Sequence, residues 1–333
     1  MAMGKLKGGE QKMKHWLFAL LLVSLGLLIM GLGQVPQMRE WRIDGILVRD
    51  NGTLRSLGLT AEDMESLIYR IDEIPGFECR PNPFNDLHTI IGLNGNGDKP
   101  RGWLRSHISR GWTNVIGDLL KVEVRVYDKP ASEYETYHTY RWGTQVLPKL
   151  GSFSGLPLGE ECFTYGQTTI WFRQGRVVSV VSLLLQGRSP EQTDSLFAEA
   201  LSWGIEYCIL QHPKKLGMAK KPMTVLAGNQ PVAQGKAVAL AGVTVAPISS
   251  LSSAKVSLKT ERDKKEWAVT ASLNGRRVKV KAFSWEMETE KGKVKLERPV
   301  FPYGGELIVP LRQVAEALGI RVQQKGETIA LLP

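Results

Sequence analysis

Few residues in this 333-residue chain are spaced for chemistry. His88, His107, His138 and His212 show none of the HxH, HxxxH or HExxH spacings that bring imidazoles to one metal, so no zinc or copper site is expected. Gly92, Gly95 and Gly97 offer a phosphate cradle, but Pro100 follows where a helix should open, and the stretch reads as a turn. Ser154 in GSFSG misses the G-x-S-x-G elbow. Glu160-Glu161 is the one paired-carboxylate candidate, and a solvated turn accounts for it better. The residues therefore point to binding rather than catalysis, with no catalytic, cofactor or metal residue.

Two groupings are suited to binding. Trp142, Trp171 and Arg173 offer a ligand face in the middle of the chain, aromatic planes beside a guanidinium, although core packing also claims tryptophans. Arg277, Lys279, Lys281, Lys293 and Lys295 alternate with small or apolar residues, so each of two strands carries a basic edge suited to a polyanion. A solvated sheet face is the plain alternative. If Lys291-Gly292 makes a two-residue turn, Glu290 and Glu288 sit opposite Lys293 and Lys295 and neutralise part of the charge.

The elements that position these residues follow from pattern. Thr60 and Asp63 form a capping box, and Met64, Leu67, Ile68, Ile71 and Ile74 recur at helical spacing until Pro75-Gly76. KVEVRVY (121–127) is an alternating strand with Val122, Val124 and Val126 on one face. A helix opened by Pro130 runs to Trp142. Thr164–Phe172 and Val177–Leu185 make a hairpin about the turn 173–176. A last helix follows Ser189-Pro190, turning Leu196, Phe197, Ala200, Leu201, Ile205 and Cys208 inward. This predicts an α+β domain over 40–213, an antiparallel sheet with helices on one face. The order IPGF, strand, Tyr-rich helix, LGEECF, FRQGRVVSVVSL and long helix resembles the exported sensor-like lipoprotein domains of bacteria, with Arg176 where their hairpin carries Asn. The resemblance implies a non-catalytic sensing role.

Leu307–Gly319, LIVPLRQVAEALG, specifies a strand, a Pro-started helix with Leu311, Val314, Ala315 and Leu318 on one stripe, and a Gly319 cap; a hairpin through Lys325-Gly326 closes the unit. Val245–Val256 repeats it in degraded form, Pro247 standing for Pro310 at a period of 63. The string and the two-copy arrangement resemble the copper amine oxidase N-terminal-like domain, a stalk-type module of exported proteins, over 225–333. The resemblance implies no oxidase chemistry, and no His or Cys follows His212 to ligate copper.

Charge divides the chain in the same place. Residues 34–213 carry 18 basic and 22 acidic side chains, whereas 214–333 carry 21 and 10, a net +11; the Lys- and Pro-rich stretch 214–224 reads as a linker. Before these, Lys5, Lys7, Lys12 and Lys14 precede an uncharged apolar run from Trp16 to Gly33, a signal peptide or a single membrane anchor over 1–33. Three cysteines are too few for a disulfide scaffold. The expectation is a monomeric, non-enzymatic, exported bacterial envelope protein. A sensing domain is carried with a basic domain that associates with anionic wall or surface polymers. Membrane contact is through 16–33 if that run is retained, with no cofactor and no nucleic acid. An exported wall hydrolase and a carbohydrate-binding module remain the alternatives.

Overall fold

The structure, a computed structural model, describes residues 39–43, 46–50, 56–80, 105–130, 151–153, 156–212, 215–216, 218, 223–228 and 230–332. The apolar run 16–33, the glycines 92–97, the helix expected over 130–142 with Trp142, and most of the linker lie outside them. The described fold is mixed α+β and mostly strand, as the pattern predicts.

The first sheet contains β1 (Arg39–Ile43), β2 (Ile46–Asp50), β3 (Phe77–Arg80), β4 (Arg105–Asn114), β5 (Leu119–Tyr127), β6 (Gly151–Phe153), β7 (Glu161–Tyr165), β8 (Thr169–Gln174) and β9 (Val177–Leu184). It is antiparallel in the order β1-β2-β4-β5-β9-β8-β7-β6, with β3 beside β4. The hairpin read from sequence is there, but its first arm is two strands: β7 and β8 meet at a turn closed by the Tyr165–Thr169 pair. Helix α1 (Ala61–Glu65) starts on the expected capping box, Thr60 N–H donating to Asp63 Oδ2 at 2.8 Å and Asp63 N–H to Thr60 Oγ1 at 3.1 Å. It ends at Ser66 rather than running to Pro75. Leu67, Ile68 and Tyr69 are buried in succession, which a helix with one buried side cannot achieve, and Ile71 is left exposed.

Helix α2 (Gln192–Leu210) begins with Glu191 N–H donating to Asp194 Oδ2 at 2.9 Å. The expected inward stripe understates it: every residue from Ala200 to Leu210 is buried. The reason is a second sheet on its other side. The helix packs on β8 and β9, and also on β11 (Gln230–Leu240) and β18 (Phe301–Tyr303). At the centre Gly204 has no room for a side chain, since a Cβ there would meet Tyr69 Oη at 1.7 Å. Tyr69 uses that gap to donate to Leu201 O at 2.9 Å.

The second sheet joins β10 (Met223–Ala227), β11, β12 (Val243–Pro247), β18, β19 (Glu306–Pro310), β20 (Arg321–Lys325) and β21 (Thr328–Leu332) in the order β18-β19-β12-β11-β10-β21-β20. A third is an antiparallel meander of β13 (Ser257–Arg262), β14 (Trp267–Leu273), β15 (Arg276–Lys281), β16 (Glu286–Thr289) and β17 (Gly292–Lys295). Strands β12 and β19 of the second sheet are buried on both faces, and strand alternation divides the sheet's residues. Val238, Leu240, Val245, Phe301 and Ile308 join the core around α2. Val225, Ala246, Leu307 and Val309 face the third sheet's Trp267, Val269, Val278, Val280 and Met287.

The repeat is visible as geometry. In the first copy Val238, Ala239 and Leu240 pair with Val245, Thr244 and Val243; 63 residues on, Phe301, Pro302 and Tyr303 pair with Ile308, Leu307 and Glu306. Both hairpins turn on two residues of positive φ, Ala241-Gly242 and Gly304-Gly305, the requirement of a type I′ turn. Each then leads through a proline into a short helix, a three-ten turn η1 (Ile248–Ala254) in the first copy and α3 (Leu311–Ala317) in the second. Gly319 caps α3 at φ +85°, and Lys255 takes the left-handed position after η1.

Candidate functional site

The face of the first sheet turned away from α2 carries charge. On β5, Val122, Val124 and Val126 enter the core around α2, so Lys121, Glu123 and Arg125 point the other way, and all three are buried. Glu123 is held between them, 2.5 Å from the Arg125 guanidinium and 3.1 Å from Lys121 Nζ. Register extends this face: Glu123 lies opposite Val180, which lies opposite Trp171, which lies opposite Phe163. One row over, Arg125, Val178, Arg173 and Glu161 align in the same way. Trp171 is buried and stacks on Phe163 with ring centroids 5.8 Å apart. Arg173 forms ion pairs with Glu160 and Glu161, so those adjacent carboxylates serve as its counter-charge rather than as an acid–base pair. The structure thus brings Trp171 and Arg173 onto one face with a buried Lys–Glu–Arg trio that the sequence reading missed; Trp142 lies outside the described residues. The signal was in KVEVRVY, whose other face begins with three charged residues, Lys121, Glu123 and Arg125. A carboxylate between two cations fixes the local geometry and contributes a net positive charge.

The basic strip lies on the open face of the third sheet, but the expected turn is displaced. Thr289 pairs with Gly292, so Glu290-Lys291 form the turn, and Glu288 and Glu286 stand opposite Lys293 and Lys295. A turn on Lys291-Gly292 would have put the Gly292 φ of +114° in the loop; instead it starts β17. Acidic residues thread the strip. Lys279 contacts Glu261 and Glu266, each at 3.4 Å, and Lys281 contacts Glu266 and Glu288, each at 3.6 Å. Lys293 contacts Glu286 at 3.3 Å. Lys279 is held above the usual lysine range chiefly by its bond to Glu261, despite some desolvation. Among the described residues Arg277 and Lys295 have no ion pair, so they are the strip's unpaired cations.

A third cluster has the membership of a hydrolase triad. Ser66 Oγ lies 2.7 Å from His212 Nε2, and Asp63 Oδ1 lies 3.8 Å from His212 Nδ1. The bonding is wrong for a relay. Ser66 Oγ–H donates to Asp63 O at 2.7 Å, which leaves Nε2–H to donate to Ser66 and a bare Nδ1 facing the carboxylate beyond bonding distance. Asp63 is committed elsewhere, to the Thr60 cap and to Lys215 Nζ at 2.5 Å. Burial pushes its carboxyl up, but Lys215 and Thr60 outweigh that and hold it below the usual range. Burial lowers the His212 pKa, partly opposed by Asp63. The cluster ties α1 to the end of α2. Among the described residues no group of three or more His, Cys, Asp or Glu side chains is arranged to hold a metal ion, and no helix is long and apolar enough to cross a membrane. The three cysteines are free thiols, Cys162 and Cys208 buried.

Comparison with known proteins bears on the C-terminal part. Residues 225–332 match the family model of the copper amine oxidase N-terminal domain, as the string at 307–319 led us to expect. No curated protein and no solved structure matches the chain.

Proposed function

We propose that the chain is an exported, non-enzymatic bacterial envelope protein in which a ligand-sensing α+β domain is mounted on a basic stalk-type domain. The observation that carries this is the position of α2, whose buried length is shared between the sheet bearing Trp171 and Arg173 and the sheet of the family-matched region. A binding face held this way moves as one body with its base. The lysines ahead of the apolar run 16–33 support export, with that segment either removed or kept as an anchor. The net +11 of residues 214–333 supports retention by anionic wall or surface polymers. Arg277 and Lys295 are the cations of the strip best placed to reach a polyanion.

Fractionation of the native protein into membrane, wall and medium pools, with sequencing of its mature N-terminus, tests the location. Recovery of unprocessed chain in the cytoplasm defeats the export reading. Co-sedimentation with an anionic wall polymer tests the partner. Binding should fall between low and physiological salt and weaken in Arg277→Glu/Lys295→Glu; salt-independent binding or an unaffected variant counts against it.

A further inference from the structure

The two copies of the repeat differ where their short helices meet the preceding strand. At the positions 63 residues apart, the first copy has Ser249, Ser250 and Ser253 where the second has Arg312, Gln313 and Glu316. In the second copy the Gln313 carboxamide closes its surroundings: Oε1 accepts from Glu297 N–H at 2.8 Å, and Nε2 donates to Lys295 O at 3.3 Å. Sixty-three residues earlier stand Val232, which pairs with Val225 of β10, and Gln234. Ser250 is too short to reach across, and a groove of about 260 Å³ lies there, lined by Val232, Lys236, Ser249, Ser250, Ser253 and Glu306 among others. That is several times the ~30 Å³ share of one water, and just below the usual range for drug-sized ligands, so the space suits a small organic group.

The lining is prepared for a polar guest. Ser250 is 3% exposed, and among the described residues its Oγ has no hydrogen-bond partner. Ser249 Oγ–H donates to Glu306 Oε2 at 2.6 Å, holding that carboxylate as an acceptor at the groove. Lys236 has no ion pair among the described residues. The strand wall is bulged: Ala233–Lys236 fall within the β10 register, between the pairs Val225–Val232 and Met223–Ala237, with Ala233 and Gly235 at φ +65° and +78°. A non-glycine residue in that conformation persists only where its surroundings hold it. Here Tyr207 Oη of α2 donates to Lys236 O at 2.6 Å, so the long helix pins the bulge.

We propose that this groove binds a small acyl amide, such as an acetamido group, held by the unpartnered Ser250 hydroxyl and the Glu306 carboxylate. The amide carbonyl accepts from the Ser250 hydroxyl and its N–H donates to the Glu306 carboxylate, while Lys236 remains for a neighbouring hydroxyl or carboxylate. The amide can come from an N-acetylated amino sugar or from a peptide. This site is independent of the export and polyanion readings and stands or falls without them.

Saturation-transfer NMR on the full chain tests it, with N-acetylglucosamine and N-acetylalanine methylamide as probes, and glucosamine and alanine as amide-free controls. At least one acetylated probe should bind with a Kd of about 1–10 mM, and the controls should not; which probe binds identifies the source. Ser250→Gln supplies the missing carboxamide from within, so it should weaken binding at least about tenfold while leaving the thermal midpoint unchanged or raised. No binding of either probe, equal binding of the controls, or undiminished binding by Ser250→Gln overturns the proposal. If Ser250→Gln fails to fold, Ser250→Ala keeps the space and removes the hydroxyl. An affinity loss of about threefold or more is expected from it, and an unchanged affinity is the overturning result.

Discussion

Ala246 and Val309, 63 residues apart in the chain, lie directly opposite each other in antiparallel strands, flanked by the pairs Val245–Pro310 and Pro247–Ile308. Each is the other's repeat equivalent, so a local two-fold axis passes through that pair, and both side chains enter the core shared with the third sheet. Volume at the axis should therefore be exchangeable. Ala246→Val alone overpacks the site, costing about 1–3 kcal/mol, and Val309→Ala alone leaves a cavity. The double swap should recover about 1 kcal/mol or more, measured by urea unfolding as a double-mutant cycle. Strict additivity would show that the two side chains do not share space.

Gly204 predicts a second coupling. Gly204→Ala drives a methyl into Tyr69 Oη, with Phe301 Cβ on the other side at 3.2 Å. A loss of about 3 kcal/mol is expected, part of it relieved when Tyr69→Phe removes the hydroxyl. Equal loss in both backgrounds, read from denaturant midpoints, would mean the helix moves aside instead.

Arg298 ties the two parts of the chain. Its guanidinium lies 4.5 Å from the Trp203 ring centroid and donates to Leu240 O at 3.2 Å and Ala241 O at 2.9 Å. Arg298→Ala should destabilise the fold by about 2–3 kcal/mol, and Arg298→Lys should rescue little, because an ammonium can neither stack nor fork. Thermal melts of the three proteins decide it.

Separating the parts at residue 222 should fail for the same reason. Val238, Leu240, Val245, Phe301 and Ile308 are buried against α2, and a fragment 222–333 exposes them as one apolar patch. The intact chain should melt in one calorimetric transition, and the fragment should bind a hydrophobic dye or aggregate. A monomeric fragment with an unchanged melting temperature refutes this.

His212 gives a pH signature. Burial lowers its pKa from 6.5, so below pH 6.5 the unfolded chain takes up a proton that the folded chain refuses. Its contribution to stability is full above pH 6.5 and is lost as the pH falls from there toward the lowered folded value. The slope approaches 1.4 kcal/mol per pH unit at most. His212→Gln should flatten the stability profile over that window, and an unchanged profile would show that the ring titrates freely.

Much of this was readable in the chain because local chemistry decided it. The Thr60–Asp63 box, the Gly319 cap and the Pro247–Pro310 equivalence depend on a few neighbouring residues, and each holds. What failed depended on a partner distant in sequence. Helix α1 stops early because Leu67, Ile68 and Tyr69 are all wanted by the core, and α2 is enclosed because a second sheet covers the side that periodicity assigned to solvent. Only Val122, Val124 and Val126 were read from strand 121–127, because nothing local says that the face of Lys121, Glu123 and Arg125 is buried as well. The first-copy groove was illegible for another reason: it is made by what Ser250 lacks relative to Gln313, and only superposing the copies exposes the difference.

Strand β10 enters the family-matched region and β21 closes it, and the two lie side by side in parallel, Thr224 to Thr328 through Ala227 to Leu331. Tension drawn between the chain ahead of Met223 and the chain at Leu332 would slide these strands along each other. The backbone hydrogen bonds between them would then bear the load together, as a lap joint does, whereas a hairpin pulled from its open end yields one bond at a time. The same pairing that completes the sheet therefore makes its two ends a mechanical clasp.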